Sequence, residues 1–354
     1  MQKNAYNNRK NSERWPGKAY WAILITTVIL LIAMTASFFV VLAVGIGGQP
    51  DNSGGDIGGA AKPSGGGKKP LSATVPTRSD YVSTKGANVA YVTDEIESNN
   101  TILVELGNYT SIAEKGADTK IYPASMTKVM SLLVACENLT SLKKMLKVSE
   151  EVATYSEKVG GSGVGLKVGE ELSVEALLYL ASYMSDTIAI LTLAEYIAGS
   201  EQAFVAMMNN KARELGLTNT KFANCTGIHD TNNYTTCREM AAIMAYSLDN
   251  SLCKKLLTSY EGYPISTNIH ESLVIYSGWY SQRFSDNPRL KTVTVTGGKT
   301  GYTDESGMCL VSYAVSRSTG KEYINVIVGK PKGNGLTAAK STTDVKTIYN
   351  TYAE

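Results

Sequence analysis

An α+β fold is predicted by the order of three patterns along this chain of 354 residues. Two short β-branched runs come first, a long block with helical periodicity comes next, and three strand-like runs then precede a closing amphipathic helix. Strands gathered at both ends of a helical block pair most simply as one sheet. The expectation is a five-stranded antiparallel sheet flanked by helices, with a mostly helical subdomain.

The elements support this in order. Residues 1–18 carry Lys3, Arg9, Lys10, Arg14 and Lys18 and read as a basic cytoplasmic tail. No charge occurs from 19 to 49. The apolar heart at 22–44 would extend roughly 35 Å as a helix at about 1.5 Å per residue, enough to cross a bilayer. Residues 19–46 therefore read as one transmembrane helix, with the basic flank inside and the rest of the chain outside the cytoplasmic membrane. A cleaved signal peptide usually has a shorter apolar region, and a buried core helix of a soluble domain would show a polar face. Residues 47–80 are rich in Gly, Pro, Ser and Lys and cannot bury a core, so they read as a flexible linker. The folded domain is expected over 81–354.

Within that domain, residues 88–93 and 101–106 are β-branched, bounded by Asn and Gly, and predict an opening hairpin. The run 173–197 opens with Ser173 and carries Leu177, Leu180, Ile188 and Leu191 at helical spacing, with a break expected near 182–185. A helix over 201–215 ends at Gly216, a residue suited to a left-handed cap. Strands are expected at 292–300, 308–315 and 323–328. The last helix aligns Val345, Ile348, Tyr349 and Tyr352 on one face.

Composition removes several classes of function. The net charge is only +2, and no basic patch interleaves with aromatics, so a nucleic-acid partner is not expected. Cys136, Cys225, Cys237, Cys253 and Cys309 contain no C-x-x-C pair, and His229 and His270 are the two histidines. No metal site is expected from that set, and nothing calls for a cofactor. Cys136 and Cys309 sit in apolar runs as small core residues. Sequence leaves open whether Cys225 and Cys237 are bridged, because it does not fix their geometry.

Chemistry is concentrated in two runs. Ser125-Met126-Thr127-Lys128 places a hydroxyl and an amine at i and i+3 of a helix start, where the two side chains meet. A lysine so placed can take the serine's proton, and free backbone N–H groups at the helix start favour a developing oxyanion. A serine there can also serve only as a helix cap. Lys299-Thr300-Gly301 lies on an expected strand and offers a cation, a hydroxyl and bare backbone to a peptide-like ligand along its edge. An exposed lysine at a strand end is the plain alternative.

Ser-x-x-Lys followed by Lys-Thr-Gly is a recognised signature of class A β-lactamases and penicillin-binding proteins. Here Pro123-Ala124-Ser125-Met126-Thr127-Lys128 resembles the nucleophile motif of D-alanyl-D-alanine carboxypeptidases, the low-molecular-mass penicillin-binding proteins. The run from Gly297 to Gly307, the helix end at Gly216, and the Gly227-Ile228-His229-Asp230 and Tyr234-Thr235-Thr236 segments resemble the same family, so the likeness covers about residue 85 to the end. It implies the β-lactamase/DD-peptidase fold and a serine peptidase that removes terminal D-Ala from peptidoglycan stem peptides through an acyl-enzyme. It also implies acylation by β-lactam antibiotics. Ser125, Lys128 and Ser185 would be catalytic. Lys299, Thr300, Gly301, Tyr302, Thr303 and Thr187 would bind substrate, with the N–H groups of Ser125 and Tyr302 as the oxyanion hole.

One motif departs from the family. Counting back fifteen residues from Ser200 lands on Ser185-Asp186-Thr187, where the family has Ser-x-Asn. Threonine lacks the amide's separate donor and acceptor, so an asparagine at 187 would be expected to raise turnover. His229 and His270 are read as structural or surface residues, because lysine is the base. A β-lactamase would need an acid after the middle motif; Glu214 resembles one in spacing but belongs to the 201–215 helix. A non-catalytic wall-binding protein is the third reading, and the threonine is its support.

Overall fold

The computed structural model describes residues 81–92, 96–331, 333 and 336–354. The expected basic tail (1–18), transmembrane helix (19–46) and linker (47–80) lie outside the described residues. In chain order the elements are strands β1 (Thr84–Tyr91), β2 (Asn100–Glu105) and β3 (Thr110–Lys115), then a 3₁₀ turn, Ala124–Met126, that leads into α1 (Thr127–Asn138). Next come β4 (Met145–Lys147), α2 (Glu150–Lys158), β5 (Glu171–Ser173), α3 (Val174–Tyr183), α4 (Thr187–Ala198) and α5 (Glu201–Glu214). The rest comprises α6 (Cys237–Asp249), α7 (Ser251–Thr258), β6 (Tyr263–Ile265), β7 (Leu273–Ile275), β8 (Val293–Thr303), β9 (Gly307–Ser316), β10 (Glu322–Val328) and α8 (Ala338–Tyr352).

The main sheet has six strands in the order β1-β3-β2-β10-β9-β8. This corrects the expected five-stranded antiparallel sheet: β1 pairs with β3 in parallel, and the other neighbours are antiparallel. The opening hairpin is β2–β3, not a pairing of 88–93 with 101–106. Its turn is Leu106 to Tyr109, where the Asn108 carboxamide accepts the Thr110 N–H at 3.2 Å and Tyr109 takes φ +49°. The polar ends of Thr110-Ser-Ile-Ala-Glu-Lys115 hid β3, although Gly107-Asn108 is a turn signal.

Both faces of the sheet are covered, which is why its central strands read as continuous apolar runs. Along β2 and β10, Ile102, Val104, Ile324 and Val326 enter the larger core under the helical block. Leu103, Tyr323 and Ile327 alternate to the opposite face and pack with Val345, Ile348 and Tyr349 of α8. The alternation has the period of a strand, and the α8 stripe is the one expected from sequence.

The helical block also obeys its sequence signals. Ser173 caps α3 by accepting the Ala176 N–H at 3.1 Å, and Gly216 stands after α5 in the left-handed conformation, φ +71°. The expected break falls between α3 and α4 at Met184–Asp186, where the Asp186 carboxylate accepts the Ala189 N–H at 2.9 Å. All five cysteines are free and buried, so Cys225 and Cys237 are not bridged. This topology brings three segments together: the turn before α1, the α3–α4 junction and the end of β8.

Candidate active site

The first group is built on the turn before α1. Pro123 precedes it, and Ala124 is held at φ +48°, a costly conformation for a side-chain-bearing residue. Neither the 3₁₀ turn nor α1 has a side-chain cap, so Ser125 does not serve as one. Its hydroxyl is half-buried and faces Lys128, whose Nζ lies 3.5 Å from the Ser125 Oγ. Lys128 is 1% exposed, and the same Nζ donates to the Thr226 carbonyl at 2.6 Å. Burial pushes this amine down to about 8 against the opposing pull of Cys225 and Asp186.

A second serine–lysine pair faces the first. Ser185, at the α3–α4 junction, has φ +56° and accepts from the Lys299 Nζ at 3.0 Å. Lys299 also donates to the Thr300 carbonyl at 3.0 Å. It is 2% exposed, and burial with the nearby charge of Lys128 holds its amine well below the usual lysine range. Among the described residues, two of the three positive-φ positions other than glycine thus flank these pairs. Backbone strain of this kind is retained where the surroundings enforce it.

Strand β8 approaches the nucleophile turn closely. A Cβ on Gly301 would lie 3.1 Å from the Ser125 backbone nitrogen and 3.1 Å from the Pro123 carbonyl, so the absent side chain is what admits the strand. Tyr302 is 46% exposed at the rim and its hydroxyl donates to Asp304 at 2.9 Å. Thr303 exchanges hydrogen bonds with Ser306 across the β8–β9 turn. Ser125, Lys128, Thr187, Tyr302 and Thr303 line one cleft of about 470 Å³. Gly301 touches the Ser125 turn, and Lys299 is near enough to Lys128 to feel its charge.

Thr187 reaches the cleft but is already engaged. It is 1% exposed, its hydroxyl accepts the Ser162 N–H at 3.1 Å, and its own N–H donates to the Ser162 carbonyl at 2.8 Å. A Cβ on Gly161 would lie 2.9 Å from the Thr187 Cβ, so the glycine-rich segment before Ser162 lies flat on the threonine.

Sequence reasoning passed over Thr226, which lines the same cleft, and Asn224, which folds its turn, and took Gly227, also on the cleft wall, only as part of a family-like segment. Only the glycine at 227 signalled a special backbone. His229, read as structural or surface, lies on the cleft wall, with its ring edge-on to Tyr122 at 4.8 Å and Nδ1 3.7 Å from Glu305. His270 pairs with the buried Glu170 carboxylate at 2.7 Å. Glu214 stays on α5, ion-paired with Lys211 at 2.8 Å, and does not line the cleft. Among the described residues no group of three or more His, Cys, Asp or Glu is placed to hold a metal ion.

A half-buried hydroxyl beside a buried amine of lowered basicity can act as a nucleophile with its base. A second hydroxyl on a second buried amine can carry a proton to a leaving group. The sequence profile of the D-alanyl-D-alanine carboxypeptidase family matches residues 86–332. The D-alanyl-D-alanine carboxypeptidase DacF of Bacillus subtilis (strain 168) is 33% identical over 220 residues, 62% of this chain and 54% of DacF. The chain thus spans about half the length of that curated relative. Among solved structures, the Streptomyces K15 DD-transpeptidase superposes with a TM-score of 0.63 over 74% of this chain and 98% of its own, at 24% identity, a likeness of fold. Penicillin binding protein 5 from Haemophilus influenzae gives a TM-score of 0.62 at 25% identity, over 73% of this chain and 71% of its own.

Proposed function

Because the chain belongs to the D-alanyl-D-alanine carboxypeptidase family, we propose that it is a serine-type carboxypeptidase acting on peptidoglycan stem peptides that end in D-Ala-D-Ala. The observation that carries this is the Ser125–Lys128 pair, 3.5 Å apart with the lysine buried. At neutral pH an amine titrating near 8 has a free-base population on the order of a few hundredfold larger than one at 10.5. Lys128 takes the Ser125 proton as Oγ attacks the penultimate D-Ala carbonyl, and the N–H groups of Ser125 and Tyr302 hold the oxyanion. The proton held by Lys128 is then handed on through Ser185, which contacts Lys299, to the departing amine as the C–N bond breaks. This releases the terminal D-Ala and returns Lys128 to its free base and Ser185 to its hydroxyl. Water then cleaves the Ser125 ester, freeing the shortened peptide.

In the same reading Lys299, Thr300 and Thr303 receive the substrate's terminal carboxylate, Gly301 leaves room for its backbone along β8, and Thr187 borders the opposite wall. β-Lactam antibiotics acylate the same Ser125 Oγ, because their strained amide imitates the scissile bond. Residues 19–46 anchor the enzyme in the bacterial cytoplasmic membrane as a single lipid-embedded helix, with residues 81–354 on the outer side. The uncharged stretch behind a basic flank supports that placement. Incubating the soluble domain with a D-Ala-D-Ala-ended pentapeptide tests the function. Mass spectrometry should show loss of one alanine residue, and an unchanged peptide would refute the proposal.

A further inference from the structure

We propose that Asn224 is a positioning residue for the reaction: one carboxamide folds the turn that both holds the base and supports the nucleophile. The inference rests on the Ser125–Lys128 reading and adds to it. Asn224 Oδ1 accepts three donors, the Thr226 N–H at 3.2 Å, the Thr226 hydroxyl at 3.1 Å and the Gly227 N–H at 2.7 Å. Its Nδ2 donates to the Ile228 carbonyl at 2.9 Å. The side chain thereby closes residues 224–228 into a local turn of the kind short amide side chains make.

Two consequences of that turn reach the chemistry. The Thr226 carbonyl is aimed at Lys128 and accepts from Nζ at 2.6 Å. A neutral amine has two N–H donors and one lone pair. Committing a donor to Thr226 restricts where the lone pair points, and Ser125 lies 3.5 Å away. Gly227, at φ +79°, lies so close to the nucleophile turn that a Cβ there would sit 2.1 Å from the Ala124 carbonyl oxygen and 2.8 Å from the Ser125 nitrogen. The backbone of Gly227 is therefore the support against which the strained Ala124–Ser125 turn rests.

The rest of the segment is secured without Asn224. The Cys225 carbonyl accepts the Ser131 hydroxyl at 2.7 Å from α1, and the Cys225 N–H donates to Glu201 at 3.1 Å. Removing the carboxamide therefore releases Thr226 and Gly227 and leaves their neighbour pinned.

The test is the rate of acylation by a fluorescent penicillin across pH for wild type, Asn224→Ala and Asn224→Asp, with thermal unfolding of each. Asn224→Ala should lose about ten- to a hundredfold in rate, the scale of one hydrogen bond lost from the transition state. Its acid limb should also move to lower pH, because a carbonyl acceptor favours the ammonium form and is now displaced. Asn224→Asp keeps an acceptor for Thr226 and Gly227; it should retain more of the rate, with its acid limb moved upward by the added negative charge. Opposite displacements of the limb are what a merely structural role would not produce. Limbs that coincide with wild type in both variants would overturn the inference, and so would an alanine variant acylating at the wild-type rate. If Asn224→Ala does not fold, the aspartate variant decides by the same limb. A wild type that is not acylated at any pH would instead remove the Ser125–Lys128 reading on which the proposal stands.

Discussion

Lys128 of α1 and Lys299 of β8 are buried near one another, and the charge of Lys128 disfavours a charge on Lys299. Each amine is buried and each meets a serine, Ser125 at 3.5 Å and Ser185 at 3.0 Å. Two buried ammonium groups are costly together, so the arrangement favours the form in which one of them is a free base.

The first prediction is a pH dependence. With Lys128 as the proposed base, the acylation rate should rise with pH and half-saturate near the value of about 8 to which burial lowers that amine. Lys128→Arg should abolish the reaction across the accessible range, because a guanidinium stays protonated. Stopped-flow rates on both proteins check this; near-normal acylation by the arginine variant would refute lysine as the base.

Ser185→Ala tests the second pair. The substitution removes one of the two acceptors of Lys299, leaving the Thr300 carbonyl and the Asp186 cap of α4 intact. Peptide turnover should fall by roughly ten- to a hundredfold, with a melting temperature near that of wild type. An unchanged kcat would mean that Ser185 passes no proton.

Thr187→Asn separates the motif from its surroundings. The motif predicts a gain. The structure predicts equal activity or a loss of up to about tenfold, because the Thr187 hydroxyl already holds the Ser162 N–H and Gly161 leaves the side chain little room. Measured kcat/KM on one D-Ala-D-Ala peptide decides, and a tenfold gain would vindicate the motif.

The thiols give a prediction independent of activity. Alkylation of the unfolded chain without reductant should add five groups, one at each free cysteine. Reductant should leave the melting temperature unchanged. Fewer than five groups would reveal a bridge.

Much of this was legible in the sequence, for reasons particular residues make plain. The serine–lysine pair was visible because i and i+3 on a helix are neighbours wherever the helix lies. The break before Asp186 was visible because that side chain caps helix α4. Strand β3 was not, because its polar ends Glu114 and Lys115 are long-range partners: Lys115 donates to the Ile96 carbonyl at 2.9 Å and Glu114 binds Arg238 at 2.7 Å. Asn224 escaped notice for a similar reason. Its value comes from a lysine 96 positions away, and no local pattern encodes that distance.

The central claim is that Ser125 Oγ is the atom acylated, and intact-mass spectrometry after incubation with benzylpenicillin tests it most directly. Wild type should gain one equivalent of the antibiotic, located by digestion to the peptide containing Ser125, and Ser125→Ala should gain none while unfolding at a similar temperature. An adduct of the same mass on the alanine variant would contradict the assignment.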